Sequence, residues 1–230
     1  MINIYFMNIF LTTYCFLFPL SYNFDKKIAS NIYVRLIHST GCILKLIPIL
    51  YNNQLIIIDP LQKIVMPLEV KKLFDRSISF FIWDCIALLI SDEKDKLLYI
   101  EHHLISTLSI GFTRYFEYDW YLICMALFIG EITNPLTQVS EFYILVEKEN
   151  IIFEKFYFYS MFLVRCIITP FVIINYTYNI YKQYENIRNM YICSILINYS
   201  IMNTLFIGSV SWIHKKYLLL YKNNNDKKVS

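Results

Sequence analysis

Apolar residues in this chain come in long blocks, not in alternation with polar ones. Seven such runs stand out, at residues 1–20, 31–51, 74–91, 99–115 with its flanks, 119–140, 156–178 and 190–213. Each is close to the roughly 20 residues that a helix needs to cross a bilayer. Polar breaks separate them at residues 23–27, 92–96 and 141–155, and a polar tail follows at 223–230. The longest connection, 51–76, holds an apolar piece, Leu55 to Ile58, that is too short to cross and ends at the turn signal Asp59-Pro60. The pattern predicts an all-α, multi-pass transmembrane helical bundle of about seven membrane helices. It divides into an N-terminal helix and short loop (1–28), one membrane domain (29–222) and the tail (223–230). The first run lacks a basic leader and a small-residue cleavage site, so it is expected to stay as a membrane helix.

Polar residues inside these runs recur at helical spacing. His102, Ser106, Ser109 and Thr113 follow at steps of four, three and four, and His103 and Thr107 widen the stripe. Asn31, Arg35, His38, Cys42 and Lys45 form a second stripe of the same kind. A polar stripe on a membrane helix is costly against lipid, so it should face other helices or a cavity. Asp84 lies near the middle of the third run, Glu131 and Asn134 just before Pro135, Arg165 before Pro170, and Asn198 and Asn203 in the seventh run. Pro135 should kink its helix by removing a backbone hydrogen bond.

Helix rise puts Asp84 about 12 Å and the paired histidines about 10 Å below the 92–96 loop, with Glu131 and Arg165 each about 15 Å from the 141–155 loop. The fixed charges at this level balance, Arg35 and Arg165 against Asp84 and Glu131. The expected interior polar site therefore comprises Arg35, His38, Glu131, Asn134, Arg165 and Asn203. Glu131 and Arg165, on the two arms of one hairpin, are expected to pair. Ion pairs that only fix helix register would give the same pattern.

The chain is 57% hydrophobic, with mean hydropathy +0.45, which suits a membrane protein better than a soluble domain. A formal charge of +3 without a basic stripe argues against nucleic acid as a partner. The six cysteines fall in separate apolar runs and read as reduced interior residues. The four glycines also lie in apolar runs, where they would allow close helix approach. Adjacent histidines point about 100° apart on a helix, unlike the i, i+4 spacing that brings two ligands to one metal, so no metal is expected. No cofactor motif is present either, and nothing in the pattern specifies an oligomeric state.

Several of these residues carry a resemblance. Arg35-Leu-Ile-His38-Ser39, Phe81-Ile-Trp-Asp84, His102-His103, Glu131-Ile-Thr-Asn-Pro135, Phe162-Leu-Val-Arg165 and the terminal Trp212 to Lys215 follow one another in the order of the TLC-domain family. The chain resembles that family through most of its length. The family includes ceramide synthases, translocation-associated membrane proteins and smaller TLC-domain proteins. In ceramide synthases a His-Asp element follows the paired histidines and helps to build an acyl-transfer site. The comparable place here reads Phe128-Ile-Gly-Glu131, and the Glu-Asn-Pro element is similar to the smaller members, which are associated with membrane lipid composition and trafficking.

The resemblance implies membrane lipids as partners, and a role in lipid homeostasis, sensing or trafficking in an internal membrane such as the endoplasmic reticulum. The alternative it implies is an acyltransferase in which His102 or His103 is the general base on a lipid amine or hydroxyl and Asp84 orients it.

Lys215, Lys216, Lys222, Lys227 and Lys228 outweigh Lys63, Lys71, Lys72 and Arg76 on the opposing connection, which puts the C-terminus in the cytoplasm. A tag after Ser230 should therefore be digested by protease added outside sealed microsomes; a sheltered tag would overturn this topology.

Overall fold

The computed structural model describes residues 26–53, 65–90, 96–117, 119–146, 148, 150–183 and 189–226. The expected first helix, the Leu55 to Ile58 piece, most of the 92–96 loop and the last four residues lie outside the described residues. The described chain is helical: α1 (Lys26–Asn52), α2 (Leu68–Ile90), α3 (Lys96–Phe116), α4 (Trp120–Glu131), α5 (Asn134–Leu145), α6 (Ile151–Phe162), a π-helical segment (Leu163–Ile168), α7 (Thr169–Gln183) and α8 (Asn189–Asp226). Among the described residues there is no strand.

These elements form six rods, because α4 and α5 follow one another as one 26-residue span and α6, the π segment and α7 as one of 32 residues. Those two and residues Asn31–Asn52 of α1 are long and apolar enough to cross a membrane. The 23 residues of α2, 21 of α3 and 38 of α8 also suffice in length. These three helices carry Asp84, the His102-His103 pair and Asn198.

The α2–α3 hairpin is the most extensive helix contact, and α1 packs against α2, α4 and α5. Their shared core holds Val34, Cys42 and Leu46 of α1, Phe74, Phe80, Phe81 and Trp83 of α2, and Trp120 and Cys124 of α4. Charged residues tie the open end of the hairpin: Asp75 Oδ1 lies 3.4 Å from Arg114 Nε, and Lys71 pairs with Glu117. Those pairs explain why α2 begins at Leu68, inside the expected 51–76 connection, and not near residue 74. On the outside, Leu104 and Leu108 of α3 and Phe171, Ile174 and Tyr178 of α7 are exposed at helical spacing, an apolar face suited to lipid.

Three further expectations change. The polar stretch 141–155 is mostly helical, since α5 runs to Leu145 and α6 starts at Ile151. Asn150 caps α6 by accepting a hydrogen bond from the Phe153 backbone N–H at 3.1 Å. Glu154 accepts from Ser140 Oγ at 2.6 Å and meets Lys216 Nζ at 2.6 Å, so the charge there is matched within the bundle. The tail is helical as far as Asp226. Of the glycines, only Gly41 faces a near neighbour: a Cβ there would stand 2.6 Å from Arg76 Nη2, while Gly111, Gly130 and Gly208 have nothing within 4 Å.

The prolines act differently from one another. Pro135 sits in the first turn of α5, where its missing N–H costs nothing, and the rod is interrupted just before it at Ile132 and Thr133. Backbone bonds continue across the interruption, from Ile132 N–H to Phe128 O at 2.9 Å and Thr137 N–H to Thr133 O at 3.1 Å. Pro170 follows the π segment by two residues and cannot donate to the carbonyl four back. The widened turn ahead of it relieves that mismatch. Thr169 Oγ1 donates to Val164 O, five residues back, at 2.9 Å and closes the turn.

Replacing the cap in Asn150→Ala should cost about 1 kcal/mol. Thermal unfolding in mild detergent should register this as a small fall in Tm.

Candidate functional site

Two adjoining polar clusters occupy the interior. The first is built on Asp84, which is fully buried in the middle of α2. Arg35 Nε donates to both of its carboxylate oxygens, at 3.0 and 3.3 Å. His103 Nε2 lies 2.7 Å from Asp84 Oδ2. Helical spacing and the α2–α3 contact deliver these groups to one point, and neighbouring aromatics hold the imidazole. Phe81 stacks on His103 with ring centroids 5.0 Å apart, and Phe80 meets the same ring edge-on. His103 Nδ1 is buried with no hydrogen-bond partner among the described residues.

His38 lies beside this cluster. Its ring stacks on Phe80 at 3.6 Å and 7°, and its Nε2 stands 3.4 Å from Cys42 Sγ. The same Nε2 is 3.7 Å from Glu131 Oε1, an electrostatic contact too long for a direct hydrogen bond. Glu131 Oε2 instead accepts from Asn134 Nδ2 at 2.9 Å. The spacing of three across the helix interruption therefore folds the Glu-Asn-Pro element back on itself.

The second cluster surrounds a cavity of about 90 Å³ between α3, α4, the π segment and α8. His102, Glu131, Asn134, Arg165 and Asn198 line it, and Phe81 contributes an apolar wall. It has room for several waters or one small polar group. Ser109 Oγ donates to Asn198 Oδ1 at 2.6 Å, and Asn198 Nδ2 donates to Thr113 Oγ1 at 3.2 Å. The hydroxyl stripe of α3 thus serves two purposes: Ser106 and Ser109 face the cavity, while Ser109 and Thr113 lock α3 to α8.

Residues 28–215 match the model of the TLC domain. The chain belongs to the TLC-domain family. No curated protein matches it. The matched region of this TLC domain runs from α1 into α8 and includes every polar residue of both clusters. TLC-domain proteins are membrane proteins generally linked to lipid metabolism or sensing.

The structure brings together most of the residues singled out by the sequence, but with different partners. Arg35 pairs with Asp84. Arg165 does not pair with Glu131: its Nη2 donates to the Gly130 carbonyl near the end of α4 at 2.9 Å. The two charges share one cavity without direct contact. The adjacent histidines diverge as the helical angle requires, with His102 on the cavity and His103 on Asp84.

Asn203 does not reach the cavity. Its Nδ2 donates to Tyr199 O in its own helix at 2.8 Å, and Asn198 takes the inward position. Asn198 could have been found from its spacing of four to Met202, which also lines the cavity.

Losing Arg35 would leave the Asp84 charge buried with one partner fewer, at a cost of roughly 3–5 kcal/mol by comparison with soluble buried pairs. Such a loss is a large part of a typical 5–15 kcal/mol stability. Arg35→Ala and Asp84→Ala should each lower Tm in detergent, and the double variant should lose less than their sum. Simple additivity would show that the contact is not energetically coupled.

Proposed function

We propose that this TLC-domain protein handles membrane lipids by taking the polar end of one lipid into the interior cavity. The role is in lipid homeostasis, sensing or trafficking in an internal membrane such as the endoplasmic reticulum, with the C-terminus in the cytoplasm. One observation carries the reading: a cavity among membrane helices is lined by a guanidinium, a carboxyl, an imidazole and two amides. Polar groups are expensive at that depth, and a polar ligand gives them partners. The size supports a head group and no more.

The arrangement of the histidines supports this reading over acyl transfer. General-base catalysis needs the oriented imidazole on the substrate. Here the carboxylate orients His103, while the imidazole on the cavity is His102. An acyltransferase would use His102 to accept the proton of a lipid amine or hydroxyl as that nucleophile bonds to the acyl carbon and the thiolate of an acyl thioester leaves. Asp84 would then act at one remove.

Asn198→Leu and His102→Phe remove cavity groups without touching Asp84. Lipidomics on protein purified in mild detergent should find a retained acyl lipid in the unchanged chain. Each variant should retain about tenfold less, the ratio corresponding to about 1.4 kcal/mol. Equal lipid content in all three, at matched Tm, would sink the proposal. The chain given acyl-CoA and a sphingoid base should form no ceramide above a boiled control, and turnover that vanishes in His102→Ala would favour the acyltransferase reading.

A further inference from the structure

The cavity is too small for a whole lipid, so any lipid headed into it must leave its chain elsewhere. A second, smaller space meets this need. It lies between α4, the π segment and α8, and shares three walls with the cavity: Ala126, Arg165 and Met202. Its remaining lining is Ile129, Thr169, Phe206 and Ser209. On α8 the lining residues Phe206 and Ser209 are followed by the exposed apolar residues Ile207 and Val210. The larger apolar groove between α4 and α7 shares no lining residue with the cavity, so it offers no such continuity.

Arg165 stands where the two spaces meet. One hydrogen bond, from Nη2 to the Gly130 carbonyl, holds it, and its Nε is buried with no hydrogen-bond partner among the described residues. It projects from the π segment, a kind of helix distortion frequent at functional sites. The second space measures only about 10 Å³, about the least that holds one water. With Arg165 in this position, a chain cannot pass.

We propose that this cleft is the chain-binding subsite of the protein and that Arg165 is its movable partition. The ligand class is an acyl lipid with an ester or amide carbonyl between head and chain. The head occupies the cavity, the carbonyl accepts from the unpartnered Arg165 Nε, and the chain runs between Ile129 and Phe206 to the bilayer. The partition moves by giving up a single hydrogen bond for the one the carbonyl supplies. This assignment rests on the cavity binding a lipid head, as proposed above.

Ile129 and Thr169 are buried, at 4% and 5% exposure, so bulk lipid does not reach them. A palmitate bearing a diazirine and an alkyne, fed to expressing cells, enters their acyl lipids and reports chain contacts after irradiation. Mass spectrometry of the purified chain should find label at Ile129 and Thr169 as well as at the lipid-facing Phe171.

Ser209→Trp and Ile129→Phe fill the cleft from opposite walls. Each should cut the label at Thr169 about fivefold or more, because a packed space resists added volume. The Phe171 label should not change. Matched Tm and gel-filtration profiles establish folding, and Ser209→Leu replaces a tryptophan variant that fails them. Label at the cavity residue Asn198 would place the chain where the head is proposed to sit and would overturn both readings. Undiminished Thr169 label in both filled variants would overturn the assignment too. Absence of label at Ile129 and Thr169, with the acyl lipid still retained by the purified chain, would overturn the cleft assignment and leave the head-group reading standing.

Discussion

A carboxylate at the centre of a membrane helix must be compensated within the protein, and the packing around Asp84 follows from that constraint. Arg35 comes from α1 and His103 from α3, so one buried oxygen pair joins three helices. Neither partner could be exchanged for a water ligand at that depth without leaving charge exposed to hydrocarbon. The aromatic pair Phe80 and Phe81 adds shape to this electrostatic requirement. Phe80 stacks on His38 and Phe81 on His103, so the two rings place both histidines relative to α2. The bundle is therefore specified most tightly at its most polar point, as expected where a misplaced partner costs several kcal/mol.

Block hydrophobicity made the helical membrane architecture legible, because the need to satisfy backbone groups in lipid leaves few alternatives. The stripes at i, i+3 and i+4 likewise marked which side chains face inward. Partner choice was not legible. Arg35, Arg165, Asp84 and Glu131 balance equally well in several pairings, and only the rotation of each rod decides among them. Arg165 could not be assigned to the Gly130 carbonyl because a side chain's bond to backbone leaves no complementary residue in the sequence. Asn203 was expected at the interior site, but the rotation of α8 turns Asn198 inward and leaves Asn203 bonded to its own helix.

Helix ends were misread for a related reason. Charged residues at 68–76 and 141–155 looked solvated, yet Asp75, Glu154 and Lys71 have partners on other helices. Polarity alone marks a loop only when the charges lack partners within the fold. Asn150 starts α6 by capping it, inside a stretch whose composition suggested a loop.

The π segment also sets the phase of the rod that carries it. A widened turn of this kind accommodates one residue more than an α-turn, so everything after Ile168 is rotated by about 100° relative to an uninterrupted helix. Tyr157 donates to Thr137 on α5, whereas Tyr176 donates to Asp119 ahead of α4. The two contacts lie on one continuous rod, on either side of that offset. Shortening 163–168 by a single residue would leave every side chain of α7 chemically intact and aim them all at the wrong neighbours.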